Sequence, residues 1–212
     1  VTQNAGYITV AQPGSVGSAT RLYSGGSGSA QKLYDAITAS GAMSVECWLR
    51  PLVTTGNGAT GPARIATMSH PTQGPSGAEH ATNRRNFLLG QGRFPSPGDH
   101  ITCRFRSTET DGDGAPELYS PGSLVAGTLY HVVMTTQEAE ESQEINLWVT
   151  PEGGSVGSPA IATSRDGTLS NWDATYVLNL LNEHDNDTTA RYWVGDMHLF
   201  ATYDRALSQA EV

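Results

Sequence analysis

The 212-residue chain has 37% hydrophobic residues spread along its length, enough for one sizeable core, and no run approaching the ~20 apolar residues that a membrane helix needs. Its 21 acidic residues against 12 basic ones give a formal charge of −9, which repels a nucleic-acid backbone and removes that partner class. Two cysteines exclude a disulfide-dense scaffold and allow at most one internal bridge. At roughly 150 residues per domain, the length fits one large domain or two small ones. No linker, internal repeat or low-complexity tail divides the chain, so a single domain over 1–212 is expected. A chain that opens on Val1 reads as a processed or excised fragment.

In chain order, weak strand signals lie at Tyr7–Val10, Arg21–Tyr23 and Lys32–Tyr34, and a short helical patch lies near Asp35–Ala39. Met43–Arg50 then alternates cleanly, with Val45, Cys47 and Leu49 on one face and Ser44, Glu46, Trp48 and Arg50 on the other. Arg64–Ser69 and Asn86–Gly90 follow. His100–Ser107 repeats the alternation, with Ile101, Cys103 and Phe105 opposite Thr102, Arg104 and Arg106. Leu129–Thr136, Glu144–Val149, Tyr176–Leu181 and Arg191–Tyr203 complete the strands. Ser208–Val212 is predicted as a short C-terminal helix, with Ser208 as N-cap and Glu211 as its capping-box partner. The 24 glycines and 11 prolines cluster in the intervening turns, where positive or fixed φ is needed.

Strands without crossover helices predict an all-β, two-sheet antiparallel sandwich. Val45, Leu49, Ile101, Phe105, Val133, Leu147, Leu178 and Leu199 are expected to point inward. Cys47 and Cys103 share those inward faces, either as small buried hydrophobes or, in an oxidising compartment, as a bridge.

The C-terminal run Tyr203-Asp204-Arg205-Ala206-Leu207-Ser208-Gln209-Ala210-Glu211-Val212 resembles the closing motif of laminin-G-like, concanavalin A-like jelly rolls. Trp193-Val194-Gly195 is similar to the Trp-x-Gly that leads into that family's last strand. Leu129–Thr135 and Glu144–Val149 resemble its central strands, and Met43–Pro51 its early Val-Glu-x-Trp-x-x-Pro strand. Leu169-Ser170-Asn171-Trp172-Asp173 and Asn182-Glu183 match a bacterial branch. The matches run in the family's order from about Met43 to the end. The resemblance implies a jelly roll, usually a non-catalytic module of a larger secreted or surface protein. The family often has an acidic residue three positions after the Gly. Here that position is His198, with Asp196 two residues earlier, so a calcium site of that type is not expected.

Two catalytic patterns arise by chance. Gly153–Gly157 fits G-x-S-x-G but runs into Gly157-Ser158-Pro159, which forbids the helix that chemistry needs. Gly56–Gly61 fits a dinucleotide fingerprint but is followed by Pro62 and a strand. No strand carries the paired carboxylates of a glycoside hydrolase, and Glu46 stands alone on its strand. No zinc spacing exists. No cofactor is required, and calcium is the one metal the composition accommodates. Its expected sites are the loops of Asp111 and Asp113 and of Asp185 and Asp187, which cluster hard oxygen donors. Asn186-Asp187-Thr188 is also a glycosylation sequon.

The function expected is therefore non-catalytic recognition of a carbohydrate or cell-surface glycan by an extracellular module, with no membrane insertion. The alternatives are a spacer domain in a multidomain adhesin and, more remotely, a polysaccharide-active enzyme. Trp172 supplies an aromatic platform, Asn171 and Asp173 its polar partners, and Arg84 and Arg85 cationic donors for an acidic glycan. The next candidates are the strand residues Glu46, Trp48, Arg50, Arg104 and Arg106, expected together on a concave polar face.

Overall fold

The computed structural model describes residues 2–10, 22–54, 62–70, 85–93, 98–122, 124–182 and 191–212. Among these, strands numbered in chain order form two sheets. The seven-stranded sheet runs β1 (Thr2–Asn4), β2 (Tyr7–Val10), β13 (Gly195–Tyr203), β4 (Ala42–Pro51), β9 (Tyr130–Ala139), β10 (Ser142–Pro151) and β11 (Ile161–Asp166). The six-stranded sheet runs β3 (Leu22–Tyr23), β12 (Val177–Leu180), β5 (Ala63–Ser69), β6 (Arg85–Gln91), β7 (Ile101–Phe105) and β8 (Leu118–Tyr119). The pairings are antiparallel throughout. This is the expected jelly-roll sandwich.

The inner faces meet in one core. Val45, Cys47 and Leu49 of β4, Val132 and Met134 of β9, and Ile145 and Leu147 of β10 supply one side. Ile65 and Met68 of β5, Phe87 and Leu89 of β6, and Ile101, Cys103 and Phe105 of β7 supply the other. Leu178 packs against this core while partly buried. Cys47 and Cys103 are free thiols, fully buried. Burial pushes the Cys47 thiol far up and the Cys103 thiol up to about 12, because an ionised sulfur has no water there.

Two inward assignments are corrected. Val133 faces outward, where it joins Trp148 and Leu207 in a second cluster. Val132, Val133 and Met134 are all apolar, so the alternation that reveals a strand's faces is missing there. The chain after β13 folds back over this outer face, and Leu207 covers part of it. Leu199 is 42% exposed. A β-bulge between Met197 and Leu199 inserts His198 and shifts the register, so Phe200 turns inward instead.

Lys32–Tyr34 is not a strand but part of α1 (Gln31–Ser40). Leu33, Tyr34 and Ile37 fall on one helical face and meet the core. Gly41 ends the helix at φ 64°, its N–H donating to the Ile37 carbonyl at 2.9 Å. The expected C-terminal helix is instead a hydrogen-bonded turn. Glu211 and Val212 donate to the Ser208 carbonyl at 3.0 and 3.2 Å, and the Glu211 carboxylate accepts from the Ser208 backbone N–H at 2.9 Å. The Trp-x-Gly motif has a packing basis. Trp193 is buried, its indole donates to Gln91 Oε1 at 2.7 Å, and a Cβ on Gly195 would run into the Trp193 ring and the Arg50 carbonyl.

Phe105→Ala is expected to cost about 3–5 kcal/mol in denaturant unfolding, and Leu199→Ala to stay within about 0.5 kcal/mol. Both cysteines should resist an aromatic disulfide reagent at neutral and mildly alkaline pH in the folded protein. They should react together, at the unfolding rate, when denaturant is added.

Candidate functional site

A one-turn 3₁₀ helix, Leu169–Asn171, ends at Trp172, whose ring plugs into the core. Trp172 is 4% exposed, its ring packs at 6.3 Å from Phe87, and its indole donates to the Arg106 carbonyl at 2.7 Å. Asn171 donates to the Ser107 carbonyl at 2.7 Å. Asp173 accepts from the backbone N–H and hydroxyl of Thr175 at 2.8 and 2.6 Å, and its own backbone is clamped by the Asn86 amide. A ring this deeply buried presents no platform to a sugar, so the platform expected of Trp172 is corrected. The polar groups of Asn171, Trp172 and Asp173 hold this segment between β6 and the chain leaving β7.

Arg84 lies outside the described residues, as do Asp185, Asp187, the Asn186 sequon and the whole of Gly56–Gly61. Arg85 is buried, with a guanidinium nitrogen 3.5 Å from Asp113 Oδ1. Asp111 Oδ1 accepts from the backbone N–H groups of Asp113 and Ala115 at 2.9 and 2.8 Å. Both aspartates of this loop thus serve the protein itself, one closing a turn and one neutralising a buried arginine. Among the described residues no three His, Cys, Asp or Glu side chains converge to hold a metal. Gly153–Gly157 is irregular chain after β10, with Gly154 donating to the Pro151 carbonyl.

Glu46, Trp48 and Arg50 do not share a face with Arg104 and Arg106. The first three project from the outer face of the seven-stranded sheet, the last two from the outer face of the six-stranded one, because the core takes the alternate residues of β4 and β7. On the first face Glu46 accepts from His131 at 2.9 Å and from the Tyr203 hydroxyl at 2.6 Å. The Tyr203 hydroxyl, donating to that carboxylate, is harder to ionise than usual. His131 stacks on Trp48 at 4.7 Å, and Arg50 pairs with Asp196 at 3.2 Å.

On the second face Arg106 is committed to the fold. Its guanidinium donates to the Asn171 carbonyl and the Tyr176 hydroxyl and lies 5.4 Å from the Tyr176 ring centre. Arg104 forms an ion pair with Glu117, its neighbour across β7 and β8. Two residues further along, Thr102 pairs with Tyr119, whose ring is 42% exposed. The exposed Arg93 guanidinium sits 5.2 Å from that ring's centre, and the His100 ring meets it edge-on at 5.7 Å. His100 is itself fixed, its Nδ1–H donating to the Ser120 carbonyl at 2.8 Å. An exposed tyrosine, with the Arg93 guanidinium over its ring and the His100 ring at its edge, thus stands at the β7–β8 margin. Tyr119 lies on a two-residue strand between Pro116 and Pro121, too short for periodicity to reveal, and only the cross-strand register places it beside Arg104.

The fold has counterparts among known proteins. The family described as the concanavalin A-like lectin/glucanases superfamily matches residues 24–212. None of the curated proteins matches the chain. Among solved structures, the CBM40 domain of the Ruminococcus gnavus IT-sialidase bound to α2,3-sialyllactose aligns at 12% identity and a TM-score of 0.57, over 97% of this chain and 93% of that one. The leech intramolecular trans-sialidase complexed with 2,7-anhydro-Neu5Ac aligns at 13% identity and a TM-score of 0.60, over 97% of this chain but 26% of that one. A Bacteroides ovatus protein described as carbohydrate-binding aligns at 12% identity and a TM-score of 0.52, over 81% of this chain and 40% of that one. At these identities the structural likeness speaks for the fold. With the family match covering all but the first 23 residues, the chain belongs to the concanavalin A-like lectin/glucanases superfamily.

Proposed function

We infer that the chain is a non-catalytic carbohydrate-recognition module of an extracellular protein, and that it holds an acidic glycan at the β7–β8 margin of the six-stranded sheet. The observation that carries this reading is the exposed Tyr119 ring, flanked by Arg93 and His100 and in register with the Arg104–Glu117 pair. A pyranose stacks its C–H face on an aromatic ring while nearby polar groups take its hydroxyls. An arginine beside the ring suits a sugar carboxylate, which a planar guanidinium binds through paired hydrogen bonds. In a chain of net charge −9 such a local cation lets an acidic ligand approach. The α2,3-sialyllactose bound by the aligned CBM40 domain carries such a carboxylate. The non-catalytic reading draws on the commitment of Glu46, whose two oxygens are taken by His131 and Tyr203.

Titration calorimetry with 3′-sialyllactose is the direct test. Tyr119→Ala and Arg93→Ala are each expected to weaken binding by roughly tenfold or more, about 1.4 kcal/mol, without lowering the melting temperature. Raised salt should weaken what remains. No heat from the parent protein, or unchanged affinity in both variants, removes this site. Trp172→Ala should instead lose about 3–5 kcal/mol of stability, which separates packing from recognition.

A further inference from the structure

We propose that the open half of the seven-stranded sheet's outer face is a second binding platform, one that takes an uncharged sugar ring independently of the Tyr119 surface. The bulge in β13 creates it. Met197 pairs with Leu49 and Leu199 with Trp48, so His198 is the extra residue, and Leu199 is turned outward opposite Trp48. The result is a row across four neighbouring strands: Tyr7 on β2, His198 and Leu199 on β13, Trp48 on β4 and, backing Trp48, the buried His131 on β9. Tyr7 stacks on His198 at 4.7 Å and Trp48 on His131 at 4.7 Å, with the exposed Leu199 between the two pairs. Three strand spacings make the row roughly 14 Å long, the scale of a short oligosaccharide.

Three features point to a neutral ligand. The charged groups beside the row are already engaged, Arg50 in an ion pair with Asp196 and Glu46 in hydrogen bonds with His131 and Tyr203, so a carboxylated sugar meets no uncommitted arginine among them. Next to Tyr7, His198 and Leu199 lies a cleft of about 250 Å³ at the edge of the sandwich, lined also by Gln3 and Asn4 of β1 and by Leu22 and Leu180 of the six-stranded sheet. His198 Nε2 is buried there without a hydrogen-bond partner. A buried ring nitrogen left unpaired is costly, and a sugar hydroxyl that reached it would satisfy it. The other half of this face is covered by Leu207 over Val133 and Trp148, which confines the platform to the row.

The experiment is an NMR titration of the isotopically labelled chain with lactose and cellobiose, and separately with 3′-sialyllactose. The neutral disaccharides should shift the Trp48 indole, Leu199 methyl and His198 ring signals. Leu199→Asp, a change at an exposed position whose fold is checked by melting temperature, should weaken neutral binding by about tenfold. His198→Ala should do the same, while Tyr119→Ala should leave it unchanged. Signals around Trp48 and His198 that ignore both neutral disaccharides would overturn the proposal. So would neutral binding that survives Leu199→Asp but is lost in Tyr119→Ala. Failure of 3′-sialyllactose to bind at Tyr119 sinks only the acidic-glycan reading, because the two faces are read by different residues.

Discussion

Burial of one face of each strand between the two sheets is the constraint from which the remaining structure follows. Val45, Cys47 and Leu49 face Ile101, Cys103 and Phe105 across the core. A pleated strand sends alternate residues to opposite sides, so this choice also dictates what lies outside. A one-residue slip of β4 would bury Glu46 and Arg50 among aliphatic side chains, where unpaired charge is costly. The register is therefore strongly specified, and the chemistry of both outer surfaces is inherited from it.

The two outer faces spend their polar residues differently. On the six-stranded sheet, guanidinium groups act largely as fasteners. Arg106 ties the segment around Asn171 to the sheet, and Arg85 holds the Asp113 loop. Buried arginines suit this task, because a planar, permanently charged fork can engage carbonyls and a carboxylate at once. On the seven-stranded sheet the same economy runs through aromatic and imidazole rings, with Tyr203, Glu46, His131 and Trp48 linked in sequence. Such networks leave few uncommitted groups, which is why the exposed Tyr119 and the bulge at His198 stand out.

Aligned structures at 12–13% identity share the sandwich with this chain. A fold held by apolar alternation tolerates wide change on its outer positions, so ligand chemistry can drift while the core is kept. Recognition in this protein therefore has to be argued from its own outward side chains. The alignment over about a quarter of the leech enzyme fits a unit that folds around its own core.

The sequence by itself determined the sandwich, because alternation at Met43–Arg50 and His100–Ser107 is a local signal tied to strand geometry. It determined the superfamily, because the closing motif and Trp193-Val194-Gly195 carry packing requirements that few other residues meet. It could not reveal the face of Val133, which sits in an unbroken apolar run, or the outward turn of Leu199, which depends on a bulge against β4. Lys32–Tyr34 was equally ambiguous, since a short apolar segment serves a helix or a strand until Ile37 finds the core. Trp172 looked like a platform because an aromatic between two polar residues reads alike whether its ring is open or packed. Only the tertiary structure decided that it meets Phe87 and that Tyr119 lies open beside Arg93. Both are contacts between residues distant in sequence, set by cross-strand register and by the sheets closing on one another.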